Sequence, residues 1–453
     1  MIINKDEQKF SLWWNKTITD GELADIRYKI KGFFVWMPYG FSLMKNIKTY
    51  WDSLFEEENI KEMYFPLLVP TEYAENNSSW WNSFKEQALY SMGYFENDKK
   101  TFLRPTGEPA MYPMFSLWIR SHRDLPLRIY ETVNSYRNET KSTKAFVRDV
   151  EIGPWYEIHT CSATKEESEK EIELAIKMND MIFDMLAVAR IKVRKPQSDC
   201  FPGSVGAVEF YTMLNDKLVE NGSCNNLGQA YAKAFNITYT DEKEEKKYVW
   251  QTCTGNGERF IAAVIGNHAD EKGLVLPPEV APKKVAIVLF KVKEKEVKIK
   301  TGLSKKEFYI IETSSLGEER FKAEKTGIPL RIEIGPKELK EKSVLLCYRT
   351  GQKKKVKIVA IEKEIKTALD EIQKELRKKS EEELKGRIKE AKTIEEAKKT
   401  AIAIVGWCGK EECSDLIKHN TKKDIIGMTL EKKKMKCINC KEEGEATYIS
   451  ESY

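Results

Sequence analysis

No stretch of the 453-residue chain comes near the eighteen or so consecutive apolar residues that a membrane helix needs. The N-terminus also lacks the basic-then-apolar pattern of a secretory signal, so the cytoplasm is the expected compartment and no membrane partner is expected. Strong net charge is missing too, since 76 basic and 71 acidic residues leave only +5. Disorder is excluded in turn: 41% apolar residues suffice for a folded core over two to four domains. Lysines nevertheless crowd the part after Pro282, with runs at Lys353-Lys354-Lys355 and Lys432-Lys433-Lys434. Phosphate neutralisation needs local rather than net charge, so this half points toward nucleic acid, although solvated lysine faces explain such runs as well.

A disulfide framework is not expected in that compartment, and Cys161, Cys200, Cys224, Cys253 and Cys347 stand singly, as reduced core or wall residues do. The other four are paired, Cys408 with Cys413 and Cys437 with Cys440. That spacing suits a tetrahedral site of four thiolates, with disulfides or a lost site as the alternatives. Zinc is the first choice because it accepts four sulfurs without redox chemistry. A closed shell would hold the fold rather than react.

Along the chain, aromatics crowd residues 1–40 and end in Pro38-Tyr39-Gly40, a turn signal. Leu43, Ile47, Tyr50 or Trp51 and Leu54 recur at helical spacing, and residues 63–70 read as a strand that Pro66 confines to an edge or interface, a plausible dimer surface. An amphipathic helix is expected over 162–186, opened by a Thr164–Glu167 capping box. Strands fill 207–254 with a short helix over 227–235; a Gly-rich turn at 254–257 then opens an apolar helix carrying Arg259 on its first turn, where backbone donors and a guanidinium favour an anion. Residues 274–282 read as an interdomain joint, followed by short strands at 285–290, 329–334 and 344–347 and a helix through Ile361, Ile365, Leu369, Ile372 and Leu376.

Two constellations carry chemistry. Arg137 and Glu139, two apart in an expected strand, would face one pocket, with Arg148 opening the returning strand toward Glu157 and His159. An Arg fork suits phosphate and a carboxylate can accept from an exocyclic amine, whereas two such residues alone also describe a surface ion pair. In Arg104-Pro105-Thr106-Gly107-Glu108, a hydroxyl and a carboxylate flank a glycine and together could hold an ammonium, or merely decorate a polar turn.

In this order the pieces resemble a class II aminoacyl-tRNA synthetase, most closely the prolyl-tRNA synthetases of archaeal and eukaryotic type, over nearly the whole chain. Phe65-Pro66 stands where the first motif has its interface proline, Tyr136-Arg137-Asn138-Glu139 matches the second and Gly255-Asn256-Gly257-Glu258-Arg259 the third. Residues 104–108 match a proline-binding segment, Phe84 falls in one similar to the pocket lining, and residues 327–336 match the anticodon-binding domain. The resemblance implies an α/β chain: an antiparallel-sheet class II catalytic domain (1–282), an α/β anticodon-binding domain (283–360), then a linker helix and a small C-terminal zinc-binding α/β domain (361–453). Only about ninety residues separate His159 from Gln251, too few for a large editing insertion.

The activity implied is ATP-dependent formation of prolyl-adenylate and transfer to tRNA(Pro), by a homodimer using Mg²⁺ and structural Zn²⁺. Arg137, Glu139 and Arg259 would be catalytic. Arg148, Asp149, Glu220 and Ser223 would join them on the nucleotide. Thr106, Glu108, Glu157, Asn225, Cys253 and Gly257 would face the amino acid, and Glu333 and Arg349 would read the anticodon. Departures cluster at one place: Asn225 replaces the family's His, Glu220 its Gln, Thr254 an aromatic and Val150 a second Arg. Loss of an aromatic wall would widen and wet the pocket, at roughly 1–3 kcal/mol of selectivity. A relative activating another small amino acid, or a catalytically silent tRNA-binding protein, are the competing readings.

Overall fold

The computed structural model describes residues 6–91 and 100–453. Its frame is a twelve-stranded sheet. From one edge to the other run Ile388–Glu390, Ile402–Trp407, Glu443–Ser450, Asp424–Thr429, Ile191–Arg194, Gly206–Leu214, Lys217–Gly228, Trp250–Gly257, Glu151–Ser162, Leu127–Tyr136 and Lys61–Glu62, with Lys434–Lys436 added onto Glu443–Ser450. Neighbours are antiparallel except at the two outermost pairs. The strands of the last segment therefore continue the sheet of the earlier strands through Met428 opposite Arg194 and Thr429 opposite Val193.

Side chains alternate across a strand, and along Glu151–Ser162 this sends Tyr156 and Ile158 backward and Trp155, Glu157 and His159 forward. Behind the sheet, helices Pro38–Glu57, Lys165–Met185 and Arg259–His268 bury Trp51, Phe55, Phe183 and Phe260 around Tyr156. The rings of Trp51 and Phe55 stand 4.9 and 5.0 Å from that of Tyr156, whose hydroxyl donates to Asn179 at 2.8 Å. Each such buried side chain contributes about 1.5–3 kcal/mol, and the polar tip finds its partner.

Several local expectations shift. Pro38-Tyr39-Gly40 is not a turn but a helix start, where the missing N–H of Pro38 has no intrahelical partner to lose. The Thr164–Glu167 capping box forms, and the helix begins at Lys165 because Ser162 still belongs to the preceding strand. The helix expected over 227–235 shrinks to Ala230–Ala234 for the same reason. Of residues 63–70 only Leu68–Pro70 forms a strand, paired with Thr101–Leu103, while Lys61–Glu62 just before them joins the large sheet. Between them the Phe65 N–H goes to the Glu131 carboxylate at 3.1 Å, and Pro66 has no N–H to offer a ladder.

A second sheet of five strands, ordered Phe308–Thr313, Val285–Phe290, Leu330–Ile334, Ser343–Tyr348 and Lys353–Lys357, packs against the helix Ile361–Arg387. At the joint, Leu274 and Leu276 N–H groups donate to Lys325 and Gly327 carbonyls, each at 3.2 Å. Arg349 clamps the seam, donating to both Asp270 oxygens at 2.7 and 2.6 Å. Its side chain is only 4% exposed, so Arg349 is a strut and not an anticodon reader. Glu333 is likewise engaged, by Arg320 and Arg331.

Arg104 and Glu131 form a completely buried ion pair at 2.5 Å, joining the loop after Thr101–Leu103 to Leu127–Tyr136. Arg104→Met strands the Glu131 charge and is expected to cost about 3–5 kcal/mol. Adding Glu131→Leu should return most of that loss in an unfolding titration; an unchanged midpoint in the single variant would show the pair to be unimportant.

Candidate active site

Strand register builds the floor of the site. Glu209, Ser223, Gly255, Glu157 and Glu131 stand opposite one another across five strands, and two residues along, Ala207, Asn225, Cys253, His159 and Ile129 form a second row. Both rows share the front face, and all of these residues except Glu131, Ala207 and Ile129 line a cavity of about 250 Å³. Thr106 and Glu108, Arg137, and Arg259 wall it from three separate segments, with Phe84, Trp155 and Phe201 as apolar cover.

Arg137 and Glu139 are not in a strand, because pairing in Leu127–Tyr136 ends there and the next N–H groups are drawn away, Arg137 to Val150 O and Asn138 to Gln87 O, both at 2.9 Å. Arg137 lies over the Phe84 ring, 5.7 Å from its centre, and donates from Nε to Pro105 O at 3.2 Å. Glu139 does not line this cavity; it sits 3.9 Å from Arg148. Arg148 belongs to a turn, not to the head of the strand, and borders a neighbouring cleft of about 920 Å³ that shares Asp199 and Glu220 with the cavity. Arg259 donates to Val147 O at 3.1 Å, to Glu220 O at 2.9 Å and to the Glu220 carboxylate.

Two further placements differ from expectation. Asp149 does not reach the cavity but is buried beside Glu258, accepting from Phe146 N–H at 2.7 Å while Glu258 accepts from Gly153 N–H at 2.9 Å. Gly257 also lies off the cavity; a Cβ there would fall 2.4 Å from Pro154 O, so it serves strand packing. Residues 254–257 are the end of a strand, not a turn.

The ends of the cavity differ in charge. Burial and the nearby Glu157 charge push the Glu108 carboxyl up, against the pull of His159 and Thr106. Burial acts the same way on Glu157, yet the His159 contact, the Arg104 charge and the Gly107 N–H at 2.7 Å hold it below its ordinary value. The Tyr112 hydroxyl, its own pKa well raised by burial, shares a hydrogen bond with His159 Nδ1 at 3.0 Å, and His159 Nε2 lies 3.3 Å from the Glu157 carboxylate. Trp80 donates to Thr106 at 3.1 Å, and Thr106 to Glu108. At the other end, burial and the Arg259 charge lower the Arg137 pKa against the pull of Glu220, which is itself paired with Arg259.

Sequence reasoning missed Trp155, Asp199, Cys200, Phe201 and Glu209 on the lining. Trp155 was accessible to it, being two residues before Glu157 in one strand. Its Nε1 donates to Glu157 at 2.9 Å and its ring fills the space a Cβ on Gly255 would enter, at 2.5 Å. The aromatic wall expected to be lost at Thr254 is thus supplied by a neighbouring strand. Thr254 donates to Ser223 O at 3.0 Å, and Asn225 to Ser223 Oγ at 2.9 Å.

Away from the cavity, the sulfurs of Cys408, Cys413, Cys437 and Cys440 all lie within 4.8 Å of one another. Burial opposes ionisation of Cys437, but backbone N–H groups of Cys440, Asn439 and Cys408 outweigh it and bring the thiol to about 7. Four converging sulfurs with one thiol already drawn toward the thiolate suit a tetrahedral metal ion.

The chain matches the tRNA synthetase class II core domain (G, H, P, S and T) over residues 90–268 and the anticodon binding domain over residues 284–368. It is 36% identical over 451 residues to a proline–tRNA ligase of Methanothermobacter thermautotrophicus, covering 95% of this chain and 93% of the relative. The fold is similar to that of Giardia lamblia prolyl-tRNA synthetase in complex with prolyl-adenylate, with a TM-score of 0.93, 27% identity and coverage of 100% and 99% of the two chains. It is also similar to the Cryptosporidium parvum prolyl-tRNA synthetase complexed with halofuginone and AMPPNP, with a TM-score of 0.91, 28% identity and coverage of 100% and 97%.

Burial raises the Asp149 carboxyl from 3.8 to about 7, against the pull of Phe146 N–H, Glu258 and Arg259. A folded-state pKa above the unfolded one means that the folded state binds the extra proton, so this stabilising contribution is complete below about pH 4 and is lost as pH rises through about 7. Asp149→Asn should therefore gain in relative unfolding midpoint between about pH 5 and pH 8. A constant difference over that range would show that Asp149 ionises freely.

Proposed function

The chain belongs to the proline–tRNA ligases of the class II aminoacyl-tRNA synthetases, and from that membership we infer how the cavity works. A proline carboxylate oxygen attacks the α-phosphorus of ATP and pyrophosphate leaves; a terminal ribose hydroxyl of tRNA then attacks the acyl carbon and AMP leaves. The observation that carries this reading is the division of one small cavity into an end with the buried carboxylates Glu108 and Glu157 and an end with two guanidinium groups, of which Arg259 is paired with Glu220 and Arg137 is not. A zwitterionic substrate fits that polarity, its ammonium on Glu108, Thr106 and Glu157 and its carboxylate toward Arg137.

Arg137 and Arg259 meet the phosphates, where fixed positive charge favours the pentacoordinate transition state and costs no reorganisation. Arg148, on the adjoining cleft, takes the outer phosphates, and Glu139, 3.9 Å from it, takes the adenine amine. Asn225, Ser223 and Cys253 form the floor beneath the ring of proline, covered by Phe84 and Trp155. Asp149, held away from the cavity, supports the segment around Arg259 rather than the nucleotide. Glu220 would hold the Mg²⁺ that accompanies ATP, which supplies charge neutralisation for the leaving pyrophosphate.

The domain at 284–368 binds tRNA(Pro) at its anticodon. Zinc on Cys408, Cys413, Cys437 and Cys440 would brace the last segment. No described helix is long and apolar enough to cross a membrane. A homodimer is supported by Tyr64, which is 73% exposed, together with exposed Leu68, Leu117 and Trp118, grouped around Phe65-Pro66.

Arg137→Ala should leave the circular dichroism spectrum unchanged and lower proline-dependent ATP–pyrophosphate exchange at least ~10²-fold; normal exchange in that variant would refute the assignment. Metal analysis should find about one zinc per chain, absent from Cys437→Ser, and chelation should lower the melting temperature. A metal-free parent with the same melting temperature would remove zinc from the account.

A further inference from the structure

The loop over residues 27–33 is exposed where it has no structural need to be apolar or basic. Arg27, Tyr28, Lys29, Ile30 and Lys31 are all exposed, Tyr28 at 53% and Ile30 at 55%, and the Tyr28 ring lies 6.4 Å from that of Phe33. Nearby acids are already matched: Asp25 by Arg27 at 2.6 Å and Glu139 by Arg148 at 3.9 Å. With Arg27 paired to Asp25 and Lys31 turned to backbone carbonyls, the surface presents the Tyr28 ring beside the exposed Lys29.

This loop is bonded to the segment that carries Arg137. Lys31 donates to Lys141 O at 2.8 Å and to Glu139 O at 3.4 Å. Gly32 O accepts from Val150 N–H at 2.9 Å, and Val150 O accepts from Arg137 N–H at 2.9 Å. Gly32 has φ +77°, and a Cβ there would stand 2.4 Å from the Val150 side chain, so the approach is as close as backbone allows. Lys31, Gly32 and Phe34, whose ring lies 4.9 Å from Phe146, do the bracing. Tyr28, Lys29 and Ile30 are left facing out.

We propose that Tyr28, Lys29 and Ile30 receive the single-stranded 3′ end of tRNA on its way to the cavity, a reading that rests on the function inferred above. Acyl transfer requires that end to pass the rim beside Arg137. Unpaired nucleotides are held by stacking on aromatic faces while lysines track the backbone, without need for sequence readout.

The test is the full-length double variant Tyr28→Ala/Lys29→Glu. Proline-dependent pyrophosphate exchange, which involves no tRNA, should stay within about twofold of the parent, while kcat/KM for tRNA charging falls about tenfold or more. With tRNA lacking its last four nucleotides, parent and variant should bind equally well. Unchanged charging, lost exchange, or an affinity gap that persists with the truncated tRNA each overturns the proposal, the last by placing the contact elsewhere on the RNA. Absence of exchange in the parent would instead sink the enzyme assignment.

Discussion

The cavity depends on the ion pair of Arg104 and Glu131, sealed from solvent beneath its floor. Its members hold three segments at once. The Arg104 backbone donates to Leu67 O and accepts from Tyr136 N–H, both at 3.1 Å, and Glu131 takes the Phe65 N–H. A charge pair is costly to bury, and its geometry is correspondingly intolerant of drift. The loop bearing Thr106 and Glu108 and the strand leading to Arg137 are therefore fixed relative to each other before any ligand arrives.

The same guanidinium reaches beyond its partner. Arg104 is one of the charges that keep Glu157 ionised, and ionised Glu157 in turn raises Glu108. Two carboxyls in one dry space are thereby set unlike each other, one retaining charge and the other reluctant to acquire it. A cation entering between them relieves that conflict, while an anion relieves the opposite one between Arg137 and Arg259. Electrostatic frustration of both signs within one cavity is a form of preorganisation for a substrate that is itself a dipole.

Part of this was legible in residue order: Arg137 with Arg259 and Thr106 with Glu108 stood out only through the resemblance of the motifs that carry them, whereas the four cysteines announce themselves by type and spacing. The Thr164–Glu167 cap was legible for the same reason. What escaped depends on pairing register. Glu209 reaches the floor only because it stands opposite Ser223, and Trp155 covers Gly255 only because Gly255 faces Glu157. Asp149 and Gly257 lie within or beside motifs, yet one turns inward to Glu258 and the other is filled from Pro154; neighbourhood in sequence does not fix direction. Arg349 looked available for RNA because nothing in sequence reveals Asp270 across the seam. Edge strands such as Lys353–Lys357 were hidden by their charge, which is how exposed edges are protected.

The pairing of Ile191–Arg194 with Asp424–Thr429 joins segments more than half the chain apart. During synthesis the earlier strand emerges with Val193 and Arg194 ready to pair and must wait, one backbone edge bare, for its distant neighbour. A fragment cut before the last segment would keep that edge permanently open, a sticky template for strand-to-strand aggregation. The late segment thus caps an edge that the earlier strands leave open.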